Sequence, residues 1–199
     1  MTDVDSPKDL VRRTKAAWRA KVLAARRAMG EAEQVAAAKA IADQVLAAPA
    51  LREARAVAAY VPVRGEPGSV ELLDALRARG IDVLLPVALP TGSLDWARYG
   101  GLLVPAGYGL LEPAGRRLGP GALADVDLVL APGLAVDRRG TRLGRGMGYY
   151  DRALVGLDGM PVVVLLHDCE LVEGHLPAEP HDRPANAVVT PMLGWVEVG

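Results

Sequence analysis

Five short apolar runs, Ala56 to Val61, Asp82 to Leu85, Leu128 to Ala131, Val162 to Leu166 and Ala187 to Val189, punctuate a chain that is otherwise helical or rich in Gly and Pro. Continuous apolar strands of this length have no polar face to give to water, so they belong in a sheet covered on both sides. Helical stretches between them supply the cover. Val70 to Arg79, closed by Gly80, separates the first two runs and reads as the helix of a right-handed crossover. Another helix, from about Tyr149 to Leu157, should join the third run to the fourth. The middle, Pro86 to Pro120, is dense in Gly and Pro and predicts short strands and turns over one end of the sheet. The expected fold is α/β, a three-layer αβα sandwich with a mostly parallel central sheet and N-terminal helices packed beside it. Residues 1–199 are expected to form a single domain. Ligands in such folds bind at the carboxyl ends of the strands.

Ser6-Pro7-Lys8-Asp9 is a helix start, with a capping hydroxyl, Pro in the first turn and an acid at the capping-box position. The helix should run to about Met29 and stop at Gly30, and Glu31 to Ala48 predicts a second helix ended near Pro49. In the first helix Leu10, Ala17, Val22 and Leu23 give a partial apolar face. The opposite side is basic, with Arg12, Arg13, Lys15, Arg19, Arg26 and Arg27. A solvated face and an anion-binding face are both open, because Lys15 and Arg19 stand one turn apart.

With 199 residues, 51% of them hydrophobic, the chain can bury about 70% of its unfolded surface without disulfide or metal staples. The single Cys169 excludes an intramolecular disulfide framework and a multi-Cys zinc site, and suits a reducing compartment. The N-terminus lacks signal-peptide blocks, and the most apolar stretches fall well short of the roughly 20 residues that span a bilayer. A cytoplasmic protein with no membrane partner is expected. A net charge of −1 gives no reason to invoke nucleic acid, and none is expected as a partner. There is no Phe, and the aromatics are 3 Trp and 5 Tyr. Trp18, Tyr60, Tyr108, Tyr149 and Tyr150 fall in or beside the motifs below, so these rings are expected to gather where flat ligands bind.

The strongest chemical signal runs from Pro132-Gly133 to Asp151. It leaves a strand, carries glycines at Gly144, Gly146 and Gly148, and opens into a helix at Tyr149. Glycines let backbone N–H groups close around phosphate oxygens, a helix N-terminus favours negative charge, and Arg142 and Arg145 add forked donors. A loop that only turns a corner is the other reading. The spacing matches neither the Gly-Lys-Ser/Thr phosphate loop nor the dinucleotide fingerprint. Asp151 beside a polyphosphate makes sense with a magnesium ion between them. His167 and His175 lack metal-ligand spacing, and Cys169 has no basic cluster around it, so all three are expected to be structural.

The segment Pro132-Gly133-Leu134-Ala135-Val136-Asp137, followed by Gly140 and Arg142-Leu143-Gly144-Arg145-Gly146-Met147-Gly148-Tyr149-Tyr150-Asp151, resembles the signature of the 5-formyltetrahydrofolate cyclo-ligase family. The likeness extends over most of the chain. Lys15-Ala-Ala-Trp-Arg19, Tyr60-x-Pro62 with Glu66, Gly109-x-x-Glu112-Pro113, Leu176-Pro177-x-Glu179-x-His181-Asp182 and Val188-Val189-Thr190 fall in the family's order. Val136 replaces a usual Phe, Pro67-Gly68-Ser69 an Ile-x-Thr, and Glu170 a common Gln.

The resemblance implies an ATP- and magnesium-dependent cyclisation of 5-formyltetrahydrofolate to 5,10-methenyltetrahydrofolate, with ADP and phosphate released through a phosphorylated formyl intermediate. Lys15, Arg19 and the run Arg142, Leu143, Gly144, Arg145, Gly146, Met147, Gly148, Tyr149 and Tyr150 would hold ATP. Val61, Glu66 and Tyr108 would hold the folate together with Arg145 to Tyr149, and Asp151 and Asp182 would serve magnesium. The folate can carry a polyglutamate tail, and the expected unit is a monomer. On the residues alone Val61 reads as a core valine rather than a contact, and His181-Asp182 is equally a surface turn. A sugar-phosphate isomerase and a non-catalytic nucleotide-binding regulator are the alternative readings of the glycine loop.

Overall fold

The computed structural model describes residues 6–63 and 65–199. Helix α1 (Pro7–Ala28) begins as its sequence dictates: the Ser6 hydroxyl accepts from the Asp9 N–H at 3.2 Å and donates to the Asp9 carboxylate at 2.7 Å. Helices α2 (Glu31–Ala47) and α3 (Pro49–Arg52) follow, then β1 (Ala56–Ala58), α4 (Val70–Ala78), β2 (Asp82–Ala88) and β3 (Leu94–Arg98). The chain continues through β4 (Leu103–Pro105), β5 (Leu111–Pro113), β6 (Leu128–Pro132), β7 (Ala135–Asp137), β8 (Arg142–Leu143) and α5 (Tyr149–Ala153). It ends with β9 (Val162–Leu165), β10 (Leu171–Val172), β11 (Ala187–Thr190) and β12 (Gly194–Glu197).

The central sheet has seven strands in the order β12-β11-β9-β6-β1-β2-β3. Its five inner strands are parallel, and β3 and β12 pair antiparallel at the edges. Successive residues of each inner strand face opposite layers, so one sheet feeds two cores. On one side Val57, Leu130, Leu165 and Val189 meet Ile41 and Val45 of α2 and Leu72 and Leu76 of α4. Ile41 and Leu76 are fully buried, each worth about 1.5–3 kcal/mol of apolar transfer. On the other side Ala58, Val129, Val164 and Val188 meet Trp96, Leu123, Tyr150 and Leu154.

The α/β layering is as expected, with four differences of detail. The second cover is thin, because α5 has five residues where a helix to about Leu157 was predicted. Strand β1 stops at Ala58, which leaves Tyr60 and Val61 in the crossing loop. Within the Gly- and Pro-rich middle, Leu94–Arg98 joins the central sheet as an edge, while β4 and β5 form a separate hairpin. Helix α2 is itself a covering layer, whereas α1 lies across the carboxyl ends of β6 and β9, donating to the Gly133 carbonyl and to Glu170 just beyond them. The partial apolar face is used only in part: Val22 and Leu23 pack with Leu134, Leu143 and Leu176, while Leu10 is 61% exposed and the other buried residues of α1 are Lys15 and Arg26. Among the described residues no helix is long and apolar enough to cross a membrane.

Asp137 locks the hairpin that leads into the glycine loop. Its fully buried carboxylate accepts from the N–H groups of Arg139 (3.0 Å), Thr141 (2.9 Å) and Leu176 (3.0 Å), tying β7 to the C-terminal segment. Burial works against the charged form, but the N–H donors outweigh it and hold the pKa below the ordinary aspartate value. A carboxyl with a lowered folded-state pKa stabilises the fold above its unfolded pKa of about 3.9 and loses that contribution as pH falls through the folded value. Asp137→Asn is therefore expected to lower stability at neutral pH by about 1–3 kcal/mol and to flatten the acid limb of a Tm-against-pH curve. An unchanged acid limb would count against this account.

Candidate active site

Strand β1 is where the sheet order reverses, with β2 and β3 on one side and β6, β9 and β11 on the other. Adjacent loops leave such a reversal in opposite directions and open a crevice at the carboxyl ends of the strands. A cleft of about 500 Å³ lies there, floored by Tyr60 and Val61 after β1, Pro86 and Ala88 of β2, and Pro132 and Gly133 at the end of β6.

One wall is cationic. Lys15 and Arg19 reach it from α1, and Arg142 to Asp151 bring the glycine loop. The Lys15 ammonium donates to Asp182 at 2.6 Å and to Glu179 at 2.7 Å. Burial alone would lower the Lys15 pKa, but these two carboxylates more than compensate and raise it above that of a free lysine. The Lys15 hydrogen bond in turn lowers the pKa of Glu179. Arg19 donates to the Gly144 carbonyl at 2.9 Å, which clips the loop to α1. Gly146 and Gly148 take φ of 100° and 65°, and a Cβ at Gly146 would stand 3.2 Å from the Arg19 guanidinium carbon. That combination of left-handed backbone and close cation requires glycine. Arg152 donates to the Met147 carbonyl at 2.8 Å and through Nε to Gly92 at 3.1 Å, holding the loop against the β2–β3 turn.

Arg142 is nearly dry, with its side chain 3% exposed, and its Nη2 is paired with Asp151. Its buried Nε and the Tyr150 hydroxyl have no hydrogen-bond partner among the described residues. Burial first, against a partial offset from Arg142, pushes the Tyr150 pKa well up, so this phenol stays a donor. Unsatisfied buried donors lining a cleft are what a ligand rich in oxygen atoms would complete.

The facing wall is apolar, with Leu94, Leu110 and Leu111 beside Pro86 and Ala88. Glu112 stands among them, its Oε1 accepting from the Ala88 N–H at 3.1 Å. Glu66 lines the cleft beside the glycine loop. One of its oxygens accepts from Arg145 Nε at 2.7 Å and the other from the Val63 N–H at 3.2 Å.

The fold thus brings Lys15, Arg19, Val61, Glu66, Arg142 to Tyr150, Asp151 and Asp182 to one cleft from segments far apart in sequence. Val61 is both a cleft residue and packed against the core. The Tyr108 side chain lies outside the described residues. Three of the five aromatic rings expected together, Tyr60, Tyr149 and Tyr150, line the cleft. Trp18 instead packs beside Val22 and Leu134, with the Lys21 ammonium 5.0 Å from its ring centre. Helix α5 is too short to supply an appreciable dipole, so anion attraction rests on loop N–H groups and arginines. The apolar wall went unseen because it comes from the Gly- and Pro-rich middle, where no periodicity marks a face.

Two carboxylates and an imidazole, Glu179, His181 and Asp182, place ligand atoms within 4.8 Å of one another, and Asp151 is not in this group. Asp182 uses Oδ2 for Lys15 and the Glu179 N–H (2.8 Å), while its Oδ1 lies 3.9 Å from His181. Carboxylate oxygens with water completing an octahedron suit magnesium, and Asp182, here paired with Lys15, fits that ion once Lys15 turns to another anion. Asp151 is already neutralised by Arg142 and fits it only when that arginine turns to another anion.

The sequence profile of the 5-formyltetrahydrofolate cyclo-ligase family matches residues 11–191. The chain belongs to the 5-formyltetrahydrofolate cyclo-ligase family. It is an enzyme of that family, and the matched span includes both walls of the cleft, from Lys15 to Asp182. It is 46% identical to the 5-formyltetrahydrofolate cyclo-ligase of Mycolicibacterium smegmatis over 149 residues, covering 71% of this chain and 76% of that one. It is 34% identical to the Escherichia coli cyclo-ligase over 176 residues, covering 85% and 96%. The structure of Aquifex aeolicus 5,10-methenyltetrahydrofolate synthetase superposes with a TM-score of 0.75 at 29% identity, covering 89% of this chain and 90% of that one.

Proposed function

We propose that this cleft joins ATP to 5-formyltetrahydrofolate and releases 5,10-methenyltetrahydrofolate, ADP and phosphate. The observation that carries the reading is one crevice lined both by the cationic glycine loop and by the apolar Leu94, Leu110 and Leu111, with Glu66 paired to Arg145 of that loop. A polyphosphate suits the first and a pterin with its aminobenzoyl ring the second. Both walls come from one chain, so a single-domain monomer is the working unit.

The formyl oxygen is an amide oxygen and a poor leaving group. Its attack on the γ-phosphorus of ATP breaks the bond to the bridging oxygen and frees ADP. N10 of the folate then attacks the formyl carbon, loses its proton, and expels phosphate carrying the former formyl oxygen. No protein nucleophile is needed, and catalysis is positioning and charge neutralisation. Lys15, Arg19, Arg142 and the loop from Leu143 to Tyr150 hold the nucleotide in this reading, with the Tyr150 hydroxyl and Arg142 Nε as donors awaiting oxygen. Val61, Glu66, Tyr108 and the stretch Arg145 to Tyr149 hold the folate. Glu66 retains lone pairs for the donor edge of the pterin while Arg145 fixes its orientation. Magnesium held by Asp182 and Asp151 would screen the phosphate charge during transfer. The lone free thiol, Cys169, fits a reducing cytoplasm.

The test is the near-ultraviolet absorbance of the cyclised product, followed with ATP, magnesium and 5-formyltetrahydrofolate together and then with each omitted. Product should form only in the complete mixture; turnover without ATP, or ATP binding with no turnover, would overturn the proposal. Glu66→Gln should raise KM for the folate by about tenfold and leave ATP binding in place. An effect confined to ATP would move Glu66 to the other ligand.

A further inference from the structure

Lys15, Arg19, Val22 and Arg26 follow one another at helical spacing along the inner face of α1. The two ends of this stripe are anchored differently. At one end Lys15 is held by Glu179 and Asp182 inside the cleft, where an arriving anion competes for it. At the other, Arg26 is 3% exposed and meets Glu170, which is 1% exposed, and neither lines the cleft. Its fork is bidentate, with Nε on Oε1 at 2.6 Å and Nη2 on Oε2 at 2.8 Å. The same Nη2 donates to the Gly133 carbonyl at 2.7 Å, and Glu170 also accepts from the His167 N–H at 2.9 Å. One guanidinium therefore joins α1 to the carboxyl ends of two adjacent parallel strands, β6 and β9. Gly133 itself lines the cleft, and a Cβ there would stand 2.6 Å from Val164 Cγ1, so it is pressed on β9 as well.

A dry ion pair is a poor device for stability alone. Removing both ions from water offsets most of their attraction, and Arg26 Nη1 has no partner among the described residues. What apolar side chains lack is direction. A two-pronged fork fixes both the rotation of α1 about its axis and its position along it.

We propose that Arg26 and Glu170 are positioning residues for nucleotide binding: their buried pair holds α1 in register with the ends of β6 and β9, so that Lys15 and Arg19 stay aimed when Lys15 exchanges its carboxylates for phosphate. The inference rests on the assignment of the cationic wall to ATP. It accounts for a buried charge pair outside the ligand-contacting set, and it predicts a larger effect on ATP than on the folate, since Lys15 and Arg19 serve the nucleotide alone while the folate also rests on β2, β3 and the β4–β5 hairpin.

The experiment compares wild type with Arg26→Met/Glu170→Leu, which removes both charges and strands neither, and with Arg26→Lys, which keeps the charge but not the fork. Thermal unfolding and initial rates against each substrate are measured for all three. The double variant should stay folded with a Tm several degrees below wild type, because the His167 N–H and the Gly133 carbonyl lose their partners, with KM for ATP raised about tenfold or more and KM for the folate raised less. Arg26→Lys should fall between it and wild type. A lower kcat with both KM values unchanged would signal only a smaller folded fraction and would overturn the positioning role. Should the double variant not fold, the readout passes to Arg26→Lys, where an unchanged KM for ATP overturns the role equally. Lys15→Ala and Arg142→Ala run in parallel. If neither raises KM for ATP or lowers kcat/KM, the nucleotide reading itself fails; if they do and the Arg26 variants do not, the positioning role alone fails.

Discussion

Replacing Arg142 with alanine is expected to lower kcat/KM for ATP by about a hundredfold to a thousandfold, the range seen when one preorganised donor to a developing charge is removed. Two effects act in the same direction. The substitution deletes a cation from a nearly dry position in the cleft, where screening by water is weak. It also strips Asp151 of its counter-ion and leaves a bare carboxylate facing the phosphates. Arg142→Lys should recover part of the loss, because charge returns without the fork that reaches both Asp151 and the Pro132 carbonyl. Initial rates over a range of ATP concentration decide the matter, with thermal unfolding to confirm that the variant is folded. ATP kinetics like those of wild type would remove Arg142 from the site.

The largest expected effect on stability belongs to Gly140→Ala. Gly140 has φ of 78°, and a Cβ there would lie 2.4 Å from the Ala185 carbonyl oxygen. That oxygen cannot simply retreat, since the Ala185 N–H donates to the Gly140 carbonyl at 2.8 Å and docks the C-terminal segment on this turn. Left-handed backbone strain of about 1–2 kcal/mol adds to the clash. A total loss of about 3–5 kcal/mol follows, or roughly 6–20 °C in Tm for a chain of this size. Gly121→Ala, where nothing among the described residues lies within 4 Å and φ is not left-handed, is the control and should change stability by less than about 0.5 kcal/mol. A Gly140→Ala protein as stable as that control would show that the turn relaxes more readily than its hydrogen bonds suggest.

Much of the cleft was legible before any coordinates. The glycine loop stood out because glycines, arginines and an acid shared one segment between a strand and a helix, and the strands around it were marked by uninterrupted apolar runs. What could not be read was which of several like residues acts. Arg26 and Arg27 are neighbours in one basic run, yet the first is buried on Glu170 and the second is exposed, donating to the Leu23 carbonyl of its own helix. Glu66 and Arg145 are 79 residues apart and meet at 2.7 Å, a pairing no local pattern encodes.

The sequence by itself determined the helix start at Ser6-Pro7, the five parallel strands and the chemical character of the glycine loop, because capping, periodicity and backbone permissiveness act over a few residues. Only the tertiary structure decided that α1 turns Lys15 and Arg26 inward beside Val22, that apolar residues line the cleft together with the loop, and that a dry Arg26–Glu170 pair joins α1 to the ends of β6 and β9. Those choices depend on which charges find partners when water is excluded, and the partners come from chain segments more than a hundred residues away.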